Sequence, residues 1–280
     1  MTIATPRPVS VPISRSPRPK RVLMCRPDYF TVSYRINPWM FPENPTDQSV
    51  AATQWQALYE TYLALGFEVE LIDPLPGLPD MVYAANGGFV LDGIAYEARF
   101  RYAERQPEGP AYLDYLAALG FEPRQAAERN EGEGDFLLVG DTILAAHGFR
   151  SESDSHAEIA EVFGREVVSL KLVDPSFYHL DTALAVLDDE TIAYLPEAFD
   201  EASRAILEQR FPDAILATRD DAEVLGLNLF SDGANVVMAE QAHTLRAELD
   251  ARGFTTHGVN MSELLLGGGG VKCCTLELRS

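Results

Sequence analysis

A thiol, an imidazole and a set of carboxylates are the parts of a covalent catalyst, and three segments of this chain hold them. Near the C-terminus four glycines, residues 267–270, run into Val271-Lys272-Cys273-Cys274-Thr275. A glycine run lets backbone approach a ligand closely, so a thiol placed directly after it is well set to face a site. VKCCTLEL has strand character, and side chains alternate faces along a strand. At most one of Cys273 and Cys274 then points into a site, while the other fills core. Lys272 has two readings, a cation that steadies a thiolate or a surface residue. For the cysteine pair itself, two small buried hydrophobes are the plainer reading.

His179 lies in FYHLDT, between the turn residues Asp174-Pro175-Ser176 and the apolar run TALAVL. At the mouth of a strand, His179 and Asp181 share one face and so can share one site. An ordinary strand-edge histidine is the alternative. The run Glu131-Gly132-Glu133-Gly134-Asp135 crowds three carboxylates among small residues. Such crowding is costly unless a cation or an imidazolium sits among them, or unless the turn is solvated.

Other chemistries lack their residues. The five histidines are scattered without metal-ligand spacing, and Cys273-Cys274 has no Cys-x-x-Cys companion, so no metal is expected. Neither a dinucleotide-binding nor a P-loop glycine pattern opens a helix, and no cofactor is expected. The formal net charge of -21 repels phosphate backbones and anionic membranes, which excludes nucleic acid as a partner, and it draws in a small cationic substrate. No apolar run approaches the ~20 residues of a membrane span. Residues 1–20, rich in Pro, Ser and Arg without a continuous apolar stretch, read as a flexible arm; together with an odd count of three cysteines this points to a cytoplasmic protein.

The elements that must position these groups follow a rhythm. RVLMC (21–25) reads as a strand, Thr46 to Leu65 as a helix stopped by Gly66, and FEVELIDP as a second strand. Hairpins are expected at Asp92-Gly93, Gly140-Asp141 and Asp188-Asp189. Helices are expected at Pro110–Leu119, Ser155–Phe163, Glu201–Arg210 and Ala239–Arg252, with further strands at EVVSLKLV, AILATR and VKCCTLEL. Paired strands and helices alternate without a compositional break, which predicts an α/β fold of about five hairpin-plus-helix units.

Taken together, the segments from about Arg21 to the C-terminus resemble the amidine-modifying enzymes of the pentein superfamily, which includes arginine deiminases, dimethylarginine hydrolases, amidinotransferases and arginine dihydrolases. The superfamily's terminal motif, glycines followed by Cys, one residue, then Thr or Ser, falls on Gly268 to Thr275 and selects Cys273 over Cys274. Its His-Leu-Asp-Thr motif is unaltered as His179-Leu180-Asp181-Thr182. Two segments depart from common patterns. Glu131-Gly132-Glu133-Gly134-Asp135 is one residue longer than Glu-Gly-Gly-Asp. In Tyr83-Ala84-Ala85-Asn86 an asparagine takes the place of the guanidinium-clamping aspartate of deiminases. Asn86, with Tyr34-Arg35-Ile36-Asn37-Pro38-Trp39-Met40, is similar to the arginine dihydrolases.

The resemblance implies a five-bladed α/β pentein propeller over residues 21–280, forming one catalytic domain that needs no cofactor. It implies Cys273 as nucleophile, His179 as acid–base and Glu131 as the carboxylate that orients it, with Glu133 as the alternative. Asp181 and Asn86 would hold the guanidinium, Arg99 and Arg150 the substrate carboxylate, and Asn37 would also touch substrate. The implied activity is arginine hydrolysis through a Cys-linked thiouronium to ornithine, ammonia and carbon dioxide. Dimethylarginine hydrolysis to citrulline and methylamines is the alternative; an amidinotransferase or a non-catalytic arginine-binding module lies further off. A homo-oligomer is left open.

Overall fold

The computed structural model describes residues 15–280 and contains five three-stranded sheets. Each sheet is built the same way. An inner strand pairs antiparallel with the next, and that middle strand pairs parallel with a third. A parallel pair needs a crossover, and helices Glu108–Ala118, Asp154–Phe163, Glu201–Arg210 and His243–Ala251 provide it in four blades. The hairpin-plus-helix rhythm of the sequence is thus one blade of a pentein propeller, repeated.

The fifth blade joins the two ends of the described chain. Its middle strand is Arg21–Cys25, which helix Gln48–Ala64 joins to the parallel strand Glu68–Ile72, and its inner strand is the C-terminal Leu276–Glu277. Asp47 caps that helix by accepting from the Ser49 and Val50 amides, and Gly66 leaves it at φ 81°. Inner strands such as Gly88–Leu91 are buried throughout, whereas the outer strand Glu122–Arg124 is exposed along its length. Apolar clusters fill the spaces between sheets and helices. The axis is polar: Lys272 pairs with Glu133 at 2.5 Å, Arg279 binds Glu133 and Glu277, and Lys20 binds Glu277 at 2.6 Å. Beside these groups lies a cavity of about 220 Å³, walled by inner-strand residues of three further blades.

Several expected elements are corrected. The helix expected over Ala239–Arg252 begins at His243, because Ala239 ends the strand Asn235–Ala239; this strand, with Phe230–Ser231 and Thr255–Val259, makes a sheet the sequence does not disclose. VKCCTLEL is a strand only at Leu276–Glu277, and residues 271–274 form a turn. The expected flexible arm falls in part outside the described residues, but its final stretch is held: Arg15 pairs with Asp188 at 2.5 Å and stacks on Phe254, and the Arg18 amide donates to the Asp232 carbonyl at 2.9 Å.

Candidate active site

The blades deliver their functional groups from one kind of place, the residues just before an inner strand. Asn86 precedes Gly88–Leu91, Glu131 precedes Phe136–Val139, His179 and Asp181 precede Leu184–Val186, and Cys273 precedes Leu276–Glu277. The fifth such position, before Phe230–Ser231, is held by Asn228. Because these strands converge at the centre, residues far apart in sequence meet there. Cys273, His179, Glu131, Asp181 and Asn86 are each at most 2% exposed.

Cys273 sits in the turn that follows the glycine run. Tyr83 presses its ring on Gly269, where a Cβ would lie 2.3 Å from the ring, so the close approach demands glycine. The Cys273 thiol donates to Asp181 Oδ2 at 3.3 Å and accepts from Asn228 Nδ2 at 3.1 Å. Burial and the neighbouring Asp181 carboxylate push this thiol well above its usual range. Burial raises Asp181 to about 7, against the opposing pull of Lys272 and of the hydrogen bonds from Cys273 and Asn228. Cys274 is fully buried in the apolar cluster to which Cys273 also belongs. One cysteine faces the site and one fills core as the sequence implies, although a turn, not strand alternation, separates them.

His179 is the residue before a single helical turn, Leu180–Ala183, where a strand mouth was expected. Its Nε2 meets Glu131 Oε2 at 2.8 Å, and Arg150 Nη1 donates to the same oxygen at 2.8 Å. Burial alone would raise the Glu131 carboxyl, but Arg150 and the His179 hydrogen bond outweigh it and hold it well below the ordinary carboxylate range. Glu131, rather than Glu133, therefore reaches the imidazole; Glu133 turns to Lys272 and Arg279 and accepts from the Glu277 amide at 2.9 Å. Asp135 accepts from Ser151 at 2.6 Å and from the Leu180 amide at 3.2 Å, tying the histidine turn to the glutamate turn. His179 Nδ1 and Asp181 Oδ1 are buried with no hydrogen-bond partner. A ligand with N–H groups is the natural complement to the second.

Of the two expected arginines, Arg150 lies in the cluster and Arg99 does not. Arg150 is buried between the Tyr102 and Tyr178 rings, 4.8 and 4.6 Å from their centroids, and also donates to the Ile36 carbonyl at 3.0 Å. Arg99 is exposed; its backbone bridges to Asn130 and carries its side chain out of the cluster. The buried arginine of that segment is Arg105, whose Nη1 donates to Asn86 Oδ1 at 3.0 Å while its other nitrogens bind Glu108 and the Asp80 carbonyl. Asn86 Nδ2 consequently faces the site, 3.4 Å from the Glu131 carbonyl. Asp80, which the sequence does not single out, accepts from Tyr34 at 2.9 Å and leaves Oδ1 buried and unpartnered. Asn37 closes the cluster, donating to Tyr178 Oη at 3.2 Å and to the Gly267 carbonyl at 3.0 Å. Local sequence marks neither Arg105 nor Asp80: each matters through partners distant in the chain. Among the described residues no group of side chains is arranged to hold a metal ion, and no helix is long and apolar enough to cross a membrane.

No protein-family model matches the chain. It is 54% identical over 267 residues to an N(G),N(G)-dimethylarginine dimethylaminohydrolase of Mycobacterium tuberculosis, covering 95% of this chain and 88% of that one. It is 37% identical to the bifunctional arginine dihydrolase/ornithine cyclodeaminase ArgZ of Synechocystis, where the match takes in 92% of this chain but only 37% of the longer relative. The crystal structure of the N-terminal domain of ArgZ, a cysteine-to-serine mutant bound to substrate, superposes with a TM-score of 0.89 at 36% identity, covering 93% of this chain and 98% of that domain.

Proposed function

The chain belongs to the family of dimethylarginine dimethylaminohydrolases and arginine dihydrolases, pentein hydrolases of the C–N bonds of linear amidines, and on that premise we propose that it hydrolyses L-arginine twice, to ornithine, two ammonia and carbon dioxide. Arginine carries two cationic groups. Two buried carboxylates, Asp80 and Asp181, each keep one oxygen without a partner, and a buried acceptor left unmade is expensive. Asp181 takes the guanidinium and Asp80 the α-ammonium. Arg150 binds the α-carboxylate through donors that Glu131 and Ile36 leave free, and Asn37 shuts the site over the ligand.

The order of steps follows from charge. In the free site the Cys273 thiol keeps its proton against Asp181. A guanidinium arriving at Asp181 sets positive charge beside the sulfur, which favours the thiolate. The thiol gives its proton to His179 and the sulfur adds to the guanidinium carbon; His179, held by Glu131, passes that proton to the departing nitrogen, and ammonia leaves a thiouronium. His179 then takes a proton from water, which adds to the same carbon, and collapse returns the electron pair to sulfur and yields citrulline. A second round on the ureido carbon gives ornithine, ammonia and carbon dioxide, two waters being consumed in all.

Asn86 is the observation that carries the double hydrolysis. A carboxylate at this position suits a guanidinium but repays a neutral ureido group poorly. The neutral amide, turned by Arg105 so that Nδ2 faces the site, donates to the ureido oxygen and retains citrulline for the second attack. Dimethylarginine hydrolysis is the second reading, favoured by the 54% identity to the mycobacterial relative. Three free cysteines, all buried, suit a reducing compartment and thus the cytoplasm. The test is stoichiometry: purified protein with L-arginine, with ammonia, citrulline and ornithine quantified together. Two ammonia per ornithine with little citrulline is the expected result. One ammonia per citrulline, or faster turnover of N(G),N(G)-dimethylarginine with dimethylamine release, would overturn it in favour of single hydrolysis.

A further inference from the structure

Four blades place Asn86, Glu131, His179 with Asp181, and Cys273 just before their inner strands, and the remaining blade places Asn228 there. Asn228 is fully buried, and its side chain is spent entirely on the cysteine turn and its neighbour. Oδ1 accepts from the Gly270 amide at 3.1 Å and the Cys273 amide at 3.0 Å; Nδ2 donates to the Asp181 carbonyl at 3.0 Å and to Cys273 Sγ at 3.1 Å. Its own carbonyl accepts from the Lys272 amide at 3.1 Å. Turning the amide over would set its NH₂ against two N–H donors and its oxygen against a carbonyl, so the network fixes its orientation. The group that faces the sulfur is therefore a donor. Its loop is held to suit: the Asn228 amide donates to the Leu225 carbonyl at 3.0 Å, and Leu225 adopts φ 53°, a conformation that a non-glycine residue keeps only where its surroundings impose it.

We infer that Asn228 is a further catalytic residue of this site, the side-chain donor that holds the Cys273 thiolate. The inference rests on the preceding reading of Cys273 as nucleophile. The charged groups Asp181 and Lys272 do not serve: Asp181 repels a thiolate, and Lys272 spends its ammonium on Glu133 and the Thr275 carbonyl. When Sγ loses its proton and bonds to the guanidinium carbon, Nδ2–H keeps the nascent anion in place. When the adduct collapses, the S–C bond breaks, its electron pair returns to sulfur, and the same N–H receives it. Gly270, whose amide is itself held by Asn228, stands beside the sulfur as part of the same cradle.

Asn228→Asp keeps an oxygen for the two backbone amides and replaces the donor with an acceptor. In this variant the pH dependence of Cys273 alkylation by iodoacetamide, with the site located by mass spectrometry, shifts upward by about one pH unit or more. The alkylation rate near neutrality then falls about tenfold. For L-arginine, kcat falls at least as far while KM changes little. Asn228→Ala, which removes the donor without adding charge, moves the alkylation inflection in the same direction by less, and it carries the test if the aspartate variant does not fold. An inflection unmoved in folded variants, with activity lost, would mean that Asn228 only braces the loop and would overturn the inference. Alkylation reads the sulfur and not the substrate. Failure of the protein to turn over arginine, with the inflection still moved, would therefore sink the substrate assignment alone.

Discussion

Two adjacent cysteines with different surroundings give the sharpest test at the scale of single residues. Cys273 has an acceptor and a donor on its sulfur, whereas the Cys274 thiol, raised by burial as Cys273 is, is packed among core side chains. Cys273→Ser is expected to lower turnover by about a thousandfold or more. Cys274→Ser should leave kcat within a few-fold and cost about 1–3 kcal/mol of stability by burying a hydroxyl where a soft thiol fitted; urea unfolding beside steady-state kinetics separates the two. Asn86→Asp is expected to stop the reaction at citrulline, raising the citrulline-to-ornithine ratio at least tenfold; an unchanged ratio on chromatography would remove Asn86 as the cause of double hydrolysis. Residues with distinctive neighbours are legible in the sequence. Cys273 after four glycines and His179 with Asp181 stand out as candidates beside plainer readings, and the resemblance selects them and favours Glu131, which is the carboxylate that touches the imidazole. Arg105 is not legible; the resemblance points instead to Arg99, and for the substrate carboxylate. Both lie in one charged loop, and which side chain turns inward depends on Glu108 and Asp80 waiting for it.

Among elements, the turn Gly132–Gly134 shows why the segment Glu131 to Asp135 reads as it does. Gly132 has φ 55°, and a Cβ there would come within 2.4 Å of the Gly88 carbonyl; one on Gly134 would lie 2.3 Å from Asn86 Nδ2 and 3.2 Å from the His179 ring. Gly134→Ala must therefore push Asn86 and His179 apart. Activity is expected to fall about a hundredfold or more with a smaller loss of stability, measured as kcat/KM against melting temperature. Retention of full activity would show that the two side chains need not touch this turn. The segment Tyr34–Met40 is a second such element: Asn37 fastens it to Gly267 and Tyr178, and Trp39 Nε1 donates to the Ser176 carbonyl at 2.8 Å. It covers a site that is otherwise closed, so Trp39→Phe should raise KM several-fold more than it lowers kcat. Helices with caps and glycine stops are well placed by sequence. The sheet around Phe230–Ser231 escapes notice there because its inner strand has two residues, too short for any periodicity to reveal. The cysteine turn has the pattern of a strand because its apolar residues are buried in an apolar cluster with Tyr62, Tyr83 and Leu264 instead of in a sheet.

For the whole molecule, the repeating rhythm of strands and helices is readable, but the closure of the ring is not, since Val22 pairs with Glu277 across nearly the full chain. Closure concentrates acids at the centre, and this fixes how stability varies with pH. Glu277, which burial would raise, is held down at about 2 by Arg279 and Lys20. A carboxyl with a folded-state pKa below its unfolded value adds stability that is present above about pH 4.5 and is lost as pH falls through the folded value. Asp135 at about 6, and Asp181 and Glu108 at about 7, are raised chiefly by burial. For them the folded state binds protons that the unfolded state has released, so stability falls as pH climbs from about 4 toward 7. The net charge of -21 adds self-repulsion in the same direction. The melting temperature is accordingly expected to peak near about pH 5, and calorimetry from pH 3.5 to 8 showing a plateau through neutrality would refute it. A cationic ligand changes the slope in a predictable way. Bound at Asp181 it favours the charged carboxylate, so it must stabilise most where the empty site is least content. L-arginine added to the Cys273→Ser variant, which prevents turnover, should raise the melting temperature more at pH 8 than at pH 5. The reverse ordering would mean that the guanidinium does not rest on Asp181, and the charge argument for activating Cys273 would fall with it.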